Sequence, residues 1–363
     1  MRNKSFTVVL LVLIAVPVVL LAADSGLPRT ASGHPDLSGS YNAATLTPLS
    51  RPAKFGDKLY MTPEEAKAIA EEERVFREDA SQNSDPERSA PAVGGASPAF
   101  APDSDPNALG AGNVGGYNAF WIDRGTDASE VDGKFRTSII YDPPNGRQPS
   151  MTPTAMRKMM TAAASFIYNN DGTASWLKRE GPGPFDGPES LMLNERCLLG
   201  FSGGPPMVPS LYNNYNTIVQ TEDYVVILLE MVHDARIVRM NSEHLPPDET
   251  RWLGDSIGWW EDDTLIVDTT NFRQRTGLMG GDENMHVVER LTLLEDGDVL
   301  YNFTVDDTTA WTKPWSGEYV WAAGEGKVYE YACHEGNYAM GNILRGARLL
   351  EDDYRANAAG GGN

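Results

Sequence analysis

The second half of this chain is a succession of short apolar and β-branched runs separated by brief polar breaks, and that rhythm constrains the fold more than any other feature. The runs cover 217–220, 224–232, 236–240, 256–260, 264–269, 287–294, 299–305, 318–322 and 327–333. Between them stand turn-forming clusters such as Thr221-Glu222-Asp223, Glu261-Asp262-Asp263, Glu295-Asp296-Gly297-Asp298 and Gly324-Glu325-Gly326. Strands of this length joined by tight turns predict a mainly β protein, an antiparallel up-and-down barrel or a sandwich. Crossovers of helix length are missing between the runs, which argues against a parallel α/β sheet. A few peripheral helices complete the expectation.

Upstream of the β-rich region, taken as residues 116–350, the pattern is different. Residues 24–115 read as irregular, with one helix at 62–78. Thr62 with Glu65 forms a capping box, Pro63 fits the first turn, and Ala, Glu and Lys follow. From about 79 to 116 the chain is dense in Ala, Pro, Gly, Ser and Asp. Such a segment buries too little apolar surface to offset its ordering entropy, so it reads as a linker or long surface loop. Residues 154–166 and 189–198 read as helical, as do 338–350, and residues 351–363 read as a flexible tail.

The extreme N-terminus carries an address. Arg2 and Lys4 precede an uncharged run from Phe6 to Ala23, with small residues at its end before Asp24. Basic, apolar and small in that order is a secretory signal peptide, here 1–23. A retained membrane anchor is the alternative, since about 20 apolar residues span a bilayer; Pro17 and the small residues favour cleavage. The expected location is therefore periplasmic or secreted, with membrane contact only through an uncleaved segment. In such a compartment two cysteines, Cys197 and Cys333, read first as one disulfide. Two lone buried thiols are the alternative. A formal charge of −21 repels phosphate backbones, so nucleic acid is not an expected partner.

Strand alternation marks the candidate chemistry. On the run 287–294, Glu289 falls in the same row as Val287, Leu291 and Leu293 and is expected to face the core. A carboxylate there must be paired or protonated, and a buried one is a candidate acid or base. An ion pair with Arg236 or Arg290, or a bulge turning it outward, is the structural alternative. Glu230 ends an apolar run with His233 three residues on, a possible base and acid at a barrel mouth or simply a polar hairpin end. In the segment 329–337 (YEYACHEGN), His334 and Glu335 stand beside Cys333, and Glu330 alternates with Val328 and Ala332. Trp259 and Trp315, among many tryptophans in this region, are core or pocket lining. With Arg236, Arg290 and Glu330 they form the candidate ligand-binding set. The histidines lack metal-ligand spacing, and the P-loop, GxGxxG and GxSxG signatures are absent, so neither a metal nor a cofactor is expected.

Several stretches resemble a large family of uncharacterised secreted bacterial proteins: 254–261 (GDSIGWWE), 263–272 (DTLIVDTTNF), 288–290 (VER), 313–315 (KPW) and 329–337. Residues 34–39 (HPDLSG), 136–138 (RTS) and 142–144 (DPP) match as well. The chain departs from that pattern at Asp262, where it suggests glycine, and at Asp307-Thr308, where Asp-Pro is usual. The resemblance implies export and a β architecture but no mechanism. A second, looser similarity is to lipocalin barrels, whose opening strand is similar to Leu37-Ser38-Gly39-Ser40-Tyr41. Together these features lead to the expectation of a barrel whose interior holds a small apolar or aromatic molecule. A cofactor-independent lyase, isomerase or hydrolase using Glu and His is the alternative, and a non-catalytic envelope protein the third.

Overall fold

The computed structural model describes residues 26–81, 87, 122–162, 164–165, 168, 171–200, 204–274, 280–324, 326 and 328–360. The expected signal segment and most of the expected linker lie outside them. Among the described residues twelve strands are present: β1 (Gly39–Asn42), β2 (Glu130–Val131), β3 (Lys134–Phe135), β4 (Ile140–Asp142), β5 (Tyr215–Gln220), β6 (Tyr224–Leu229), β7 (Ala235–Met240), β8 (Asp255–Glu261), β9 (Thr264–Thr270), β10 (His286–Leu293), β11 (Val299–Asp306) and β12 (Trp315–Gly324). Three α-helices accompany them: α1 (Pro63–Ala80), α2 (Pro153–Ala162) and α3 (Tyr338–Gly360).

Nine strands close into a barrel in the order β1-β5-β6-β7-β8-β9-β10-β11-β12, with β12 returning to β1. β4 pairs with β12 outside the ring, where the register shifts between Ser316 and Gly317. The close approach there explains Gly317: a Cβ would lie 2.5 Å from the Phe303 ring. The barrel is mixed rather than purely antiparallel, because β7 and β8 run parallel. The expectation of hairpins throughout fails at one point. Residues 241–254 cross from the end of β7 back to the start of β8 without forming a helix. Asp262, in the β8–β9 turn, has φ +51°, a left-handed conformation that glycine adopts freely and Asp tolerates.

Alternation holds along the barrel strands. Val287, Glu289, Leu291 and Leu293 of β10 are buried, as are Val299, Tyr301, Phe303 and Val305 of β11 and Trp315, Tyr319 and Trp321 of β12. These aromatic rings stack on one another, with Tyr301 and Trp321 centred 4.5 Å apart and Phe303 edge-on to Trp315. The loop that contains Pro205, Pro206 and Met207 is buried with them. Met207 donates its N–H to the Tyr301 hydroxyl at 2.8 Å and accepts from the Tyr319 hydroxyl at 3.0 Å. Phe272, Met285 and Trp311 also join this core. The interior core is mostly aliphatic, with the large aromatic rings gathered on the β11–β12 side.

The helices depart from expectation in extent. α1 has its capping box, with Glu65 N–H on the Thr62 hydroxyl and the Thr62 N–H on the Glu65 carboxylate. α3 runs through 351–360, the segment expected as a tail. Glu351, almost fully buried, accepts from the Trp176 indole at 3.1 Å and pairs with Arg348 and Arg355, and Tyr354 packs in the same small cluster. That second apolar cluster extends the helix past Leu350. The expected helix at 189–198 is instead one 3-10 turn at Pro188–Ser190 followed by turns. Residues 327–333, expected as a strand, carry no regular structure where described. The closed ring leaves no free edge on β12, whose neighbours are already β1 and β11.

Candidate functional site

The barrel interior holds the charge that strand alternation pointed to. Glu289 and Arg236 are buried, and the guanidinium of Arg236 grips the carboxylate through both terminal nitrogens, at 2.9 and 2.5 Å. Tyr301 donates its hydroxyl to the same carboxylate at 2.6 Å. Ser256 and Thr269, bonded to each other at 2.9 Å, lie 3.5 and 3.4 Å from the guanidinium. Burial alone would lower the Arg236 pKa, but the Glu289 charge outweighs it and holds it above its ordinary value. Burial pushes Tyr301 well up, with Glu289 adding to the effect. Of the two cations considered as partners for Glu289, Arg236 is the one that pairs. The Glu289 carboxylate is thus engaged by three donors inside the barrel, while Nε of Arg236 and the indole nitrogens of Trp315 and Trp321 are buried with no hydrogen-bond partner among the described residues.

Several candidate ligand contacts fall elsewhere. Trp259 and Arg290 are on the outer wall, because their strands turn alternate residues outward. Trp259 donates its indole N–H to Glu261 at 3.2 Å, and the same carboxylate takes Arg290 at 2.5 Å. Trp315 is fully buried in the aromatic core. Glu330 was expected to face inward with Val328 and Ala332. It is exposed, because 328–333 is not a strand and has no alternation.

A different place gathers the remaining candidates. Beyond β12 the chain leaves the barrel as a strap, residues 328–337, and enters α3. Cys333 is joined to Cys197, with Cα atoms 5.8 Å apart. His233, in the β6–β7 corner, has Nδ1 3.1 Å from the Tyr331 carbonyl; since a carbonyl only accepts, Nδ1 carries the proton. Asn337 donates to the Glu195 carbonyl at 2.8 Å. Under the strap lies a cleft of about 1030 Å³. Its lining brings together Glu230 and Glu330 with Tyr212, Tyr215, Tyr329 and Tyr331. Asn194, Asn213, Met340 and Ile343 also contribute, and both disulfide cysteines reach it. Among the described residues, no lysine, arginine or histidine lines it.

The cleft's acceptors are incompletely used. Glu230 accepts the Tyr215 N–H through Oε2 at 3.2 Å, and no hydrogen bond among the described residues reaches its other oxygen. Glu330 has no hydrogen-bond or ion-pair partner among the described residues. Asp234, just behind His233, has a carboxylate oxygen buried without a partner, and burial raises its pKa to about 6. His334 and Glu335 sit on the strap's exposed side and do not line the cleft. Sequence reasoning singled out Glu230, Glu330 and the cysteines but missed the tyrosines; only their density on either side of the disulfide signalled them.

A third cluster went unmarked in the sequence. On the outer wall Asp255, His244, Asp268 and His286 form a chain of contacts at 3.1, 2.9 and 2.9 Å, and Arg239 caps Asp255 at 2.8 Å. The hydrogen bond to Asp268 raises the His286 pKa. Both ring nitrogens of His244 are taken up by carboxylates. Leu245 N–H also bonds to Asp255, so this cluster latches the 241–254 crossover to the wall.

Compared with protein-family models, with curated proteins and with solved structures, the chain matches none. The site therefore rests on its own geometry.

Proposed function

We propose that this is an exported small-molecule binding protein whose site is the cleft beneath the strap, outside the barrel wall. One observation carries the reading: a cleft of about 1030 Å³ presents partly unengaged carboxylates and aromatic rings, while the barrel interior is packed. Concave sites with a few convergent polar groups are where small ligands bind. Export is supported by the N-terminal basic-apolar-small segment and by the disulfide, which persists in oxidising compartments. The resemblance to secreted bacterial proteins agrees with it.

Native mass spectrometry of the chain purified from an exporting host tests the proposal. A mass above that of the polypeptide, lost on denaturation and absent from a Glu230→Gln, Glu330→Gln double variant, supports it. A bound mass that the double variant retains places the ligand elsewhere and overturns it.

A second reading, a cofactor-independent lyase, isomerase or hydrolase, is favoured by the two carboxylates of the cleft that are not fully engaged, Glu230 and Glu330. Turnover lost on Glu230→Gln with ligand binding retained would distinguish it.

A further inference from the structure

Accepting the cleft as the binding site, we infer that its ligand is a neutral, hydroxyl-rich oligosaccharide. The lining consists chiefly of three residue types. Tyr212, Tyr215, Tyr329 and Tyr331 supply aromatic faces and Asn194 and Asn213 supply amides; of the carboxylates, Asp123 is engaged by Arg77 and Glu195 by the Met192 N–H, which leaves Glu230 and Glu330. Each answers a different part of a sugar. A pyranose has a face of C–H groups that lies flat on an aromatic ring, whose face is electron-rich. Its hydroxyls each donate and accept, so they need both kinds of partner at close spacing. Amides offer both, carboxylates accept, and a phenol does either.

Several of these groups are unengaged. The side chains of Asn194, Asn213 and Glu330 make no hydrogen bond among the described residues, and Glu230 uses one of its two oxygens. Tyr329 is 74% exposed, so its ring is accessible to a ligand in the cleft. The volume reaches the upper end of small-ligand sites, enough for several sugar units rather than one.

Other classes fit less of the lining. A phosphorylated or carboxylated ligand would find donors in the amides and phenols but would stand against the Glu230 and Glu330 charges, in a chain of net charge −21. A cation would use the rings, the carboxylates and the amide oxygens but leave the amide N–H groups unpaired. An apolar aromatic molecule would use the rings, Met340 and Ile343 but would bury unpaired carboxylates.

Isothermal titration of the intact, oxidised chain tests the assignment. The probes are cellohexaose, maltohexaose, xylohexaose and chitohexaose, with spermine and 1-naphthol representing the cationic and apolar alternatives. Saturable binding of a hexaose, weakened at least about tenfold by Tyr329→Ala and unchanged by Trp259→Ala on the outer wall, is the expected result. Tyr329 is exposed, so its replacement leaves the fold intact. Binding of spermine or 1-naphthol with that same dependence, and of no hexaose, overturns the sugar assignment and leaves the cleft as the site. A hexaose that binds equally well to Tyr329→Ala overturns it too. If no probe responds to Tyr329→Ala, the oligosaccharide inference and the cleft as a binding site fall together.

Discussion

The barrel interior and the strap cleft both hold glutamates beside tyrosines, yet they differ in how far the protein engages those carboxylates itself. Inside, Glu289 takes two nitrogens from Arg236 and a hydroxyl from Tyr301, and all three groups are buried. In the cleft, Glu230 keeps one oxygen and Glu330 both without a hydrogen bond among the described residues. A fully buried carboxylate without partners is costly, so a folded interior favours one that is paired. An exposed one is under no such demand. Burial of a charged residue therefore points to a structural junction here, and incomplete satisfaction at an accessible surface points to a ligand.

The largest expected effect breaks the interior side of this comparison. Glu289→Ala strands the Arg236 charge and is expected to cost about 3–5 kcal/mol in urea denaturation. The double variant Arg236→Met, Glu289→Met, which removes both charges, should recover most of that loss. If Glu289→Ala is neutral, the pair does not hold the core together.

Next comes the disulfide, which should act on the cleft more than on the barrel. It joins positions 136 residues apart, and its removal by Cys197→Ser with Cys333→Ser is expected to cost about 2–4 kcal/mol. Near-ultraviolet circular dichroism of the aromatic core should survive while binding in the cleft is lost. Loss of the aromatic signal below the unfolding transition would show that strap and barrel are one unit.

A smaller effect has a defined pH dependence. Asp234 has its pKa raised from 3.8 to about 6. The folded state thus holds its proton more tightly than the unfolded state, and stability falls as pH rises from about 4 to about 6. Asp234→Asn should stabilise the protein at pH 7.5 by about 1 kcal/mol after allowing for solvent screening, and have no such effect at pH 4. Equal effects at both pH values would contradict the assignment. The smallest effect is on the outer wall: Arg290→Ala removes a half-exposed ion pair with Glu261 and should change stability by less than about 0.5 kcal/mol in thermal melts.

What could be read in the sequence follows from which interactions are local. Period-two alternation placed Glu289 inward and Trp259's strand in a β wall, because side-chain direction depends only on adjacent residues. The capping box at Thr62 was equally local. The parallel β7–β8 pair was not, since it depends on how residues 241–254 travel. Nor was the fate of 327–333, which has strand-like residues but meets a barrel already closed by β1. The tyrosines of the cleft come from segments more than a hundred residues apart, brought together by the disulfide and His233. A single sequence carries no record of such a meeting.

Hydroxyl-radical footprinting of the native, oxidised chain tests the contrast between the two regions most directly and needs no ligand. The account expects fast modification of Tyr329 and Tyr338, and protection of Tyr301, Phe303, Trp315 and Trp321 until the protein unfolds. Native-state modification of Tyr301 or Trp321 at a rate comparable to Tyr329 would mean that the barrel is open to solvent, and would return the ligand site to its interior.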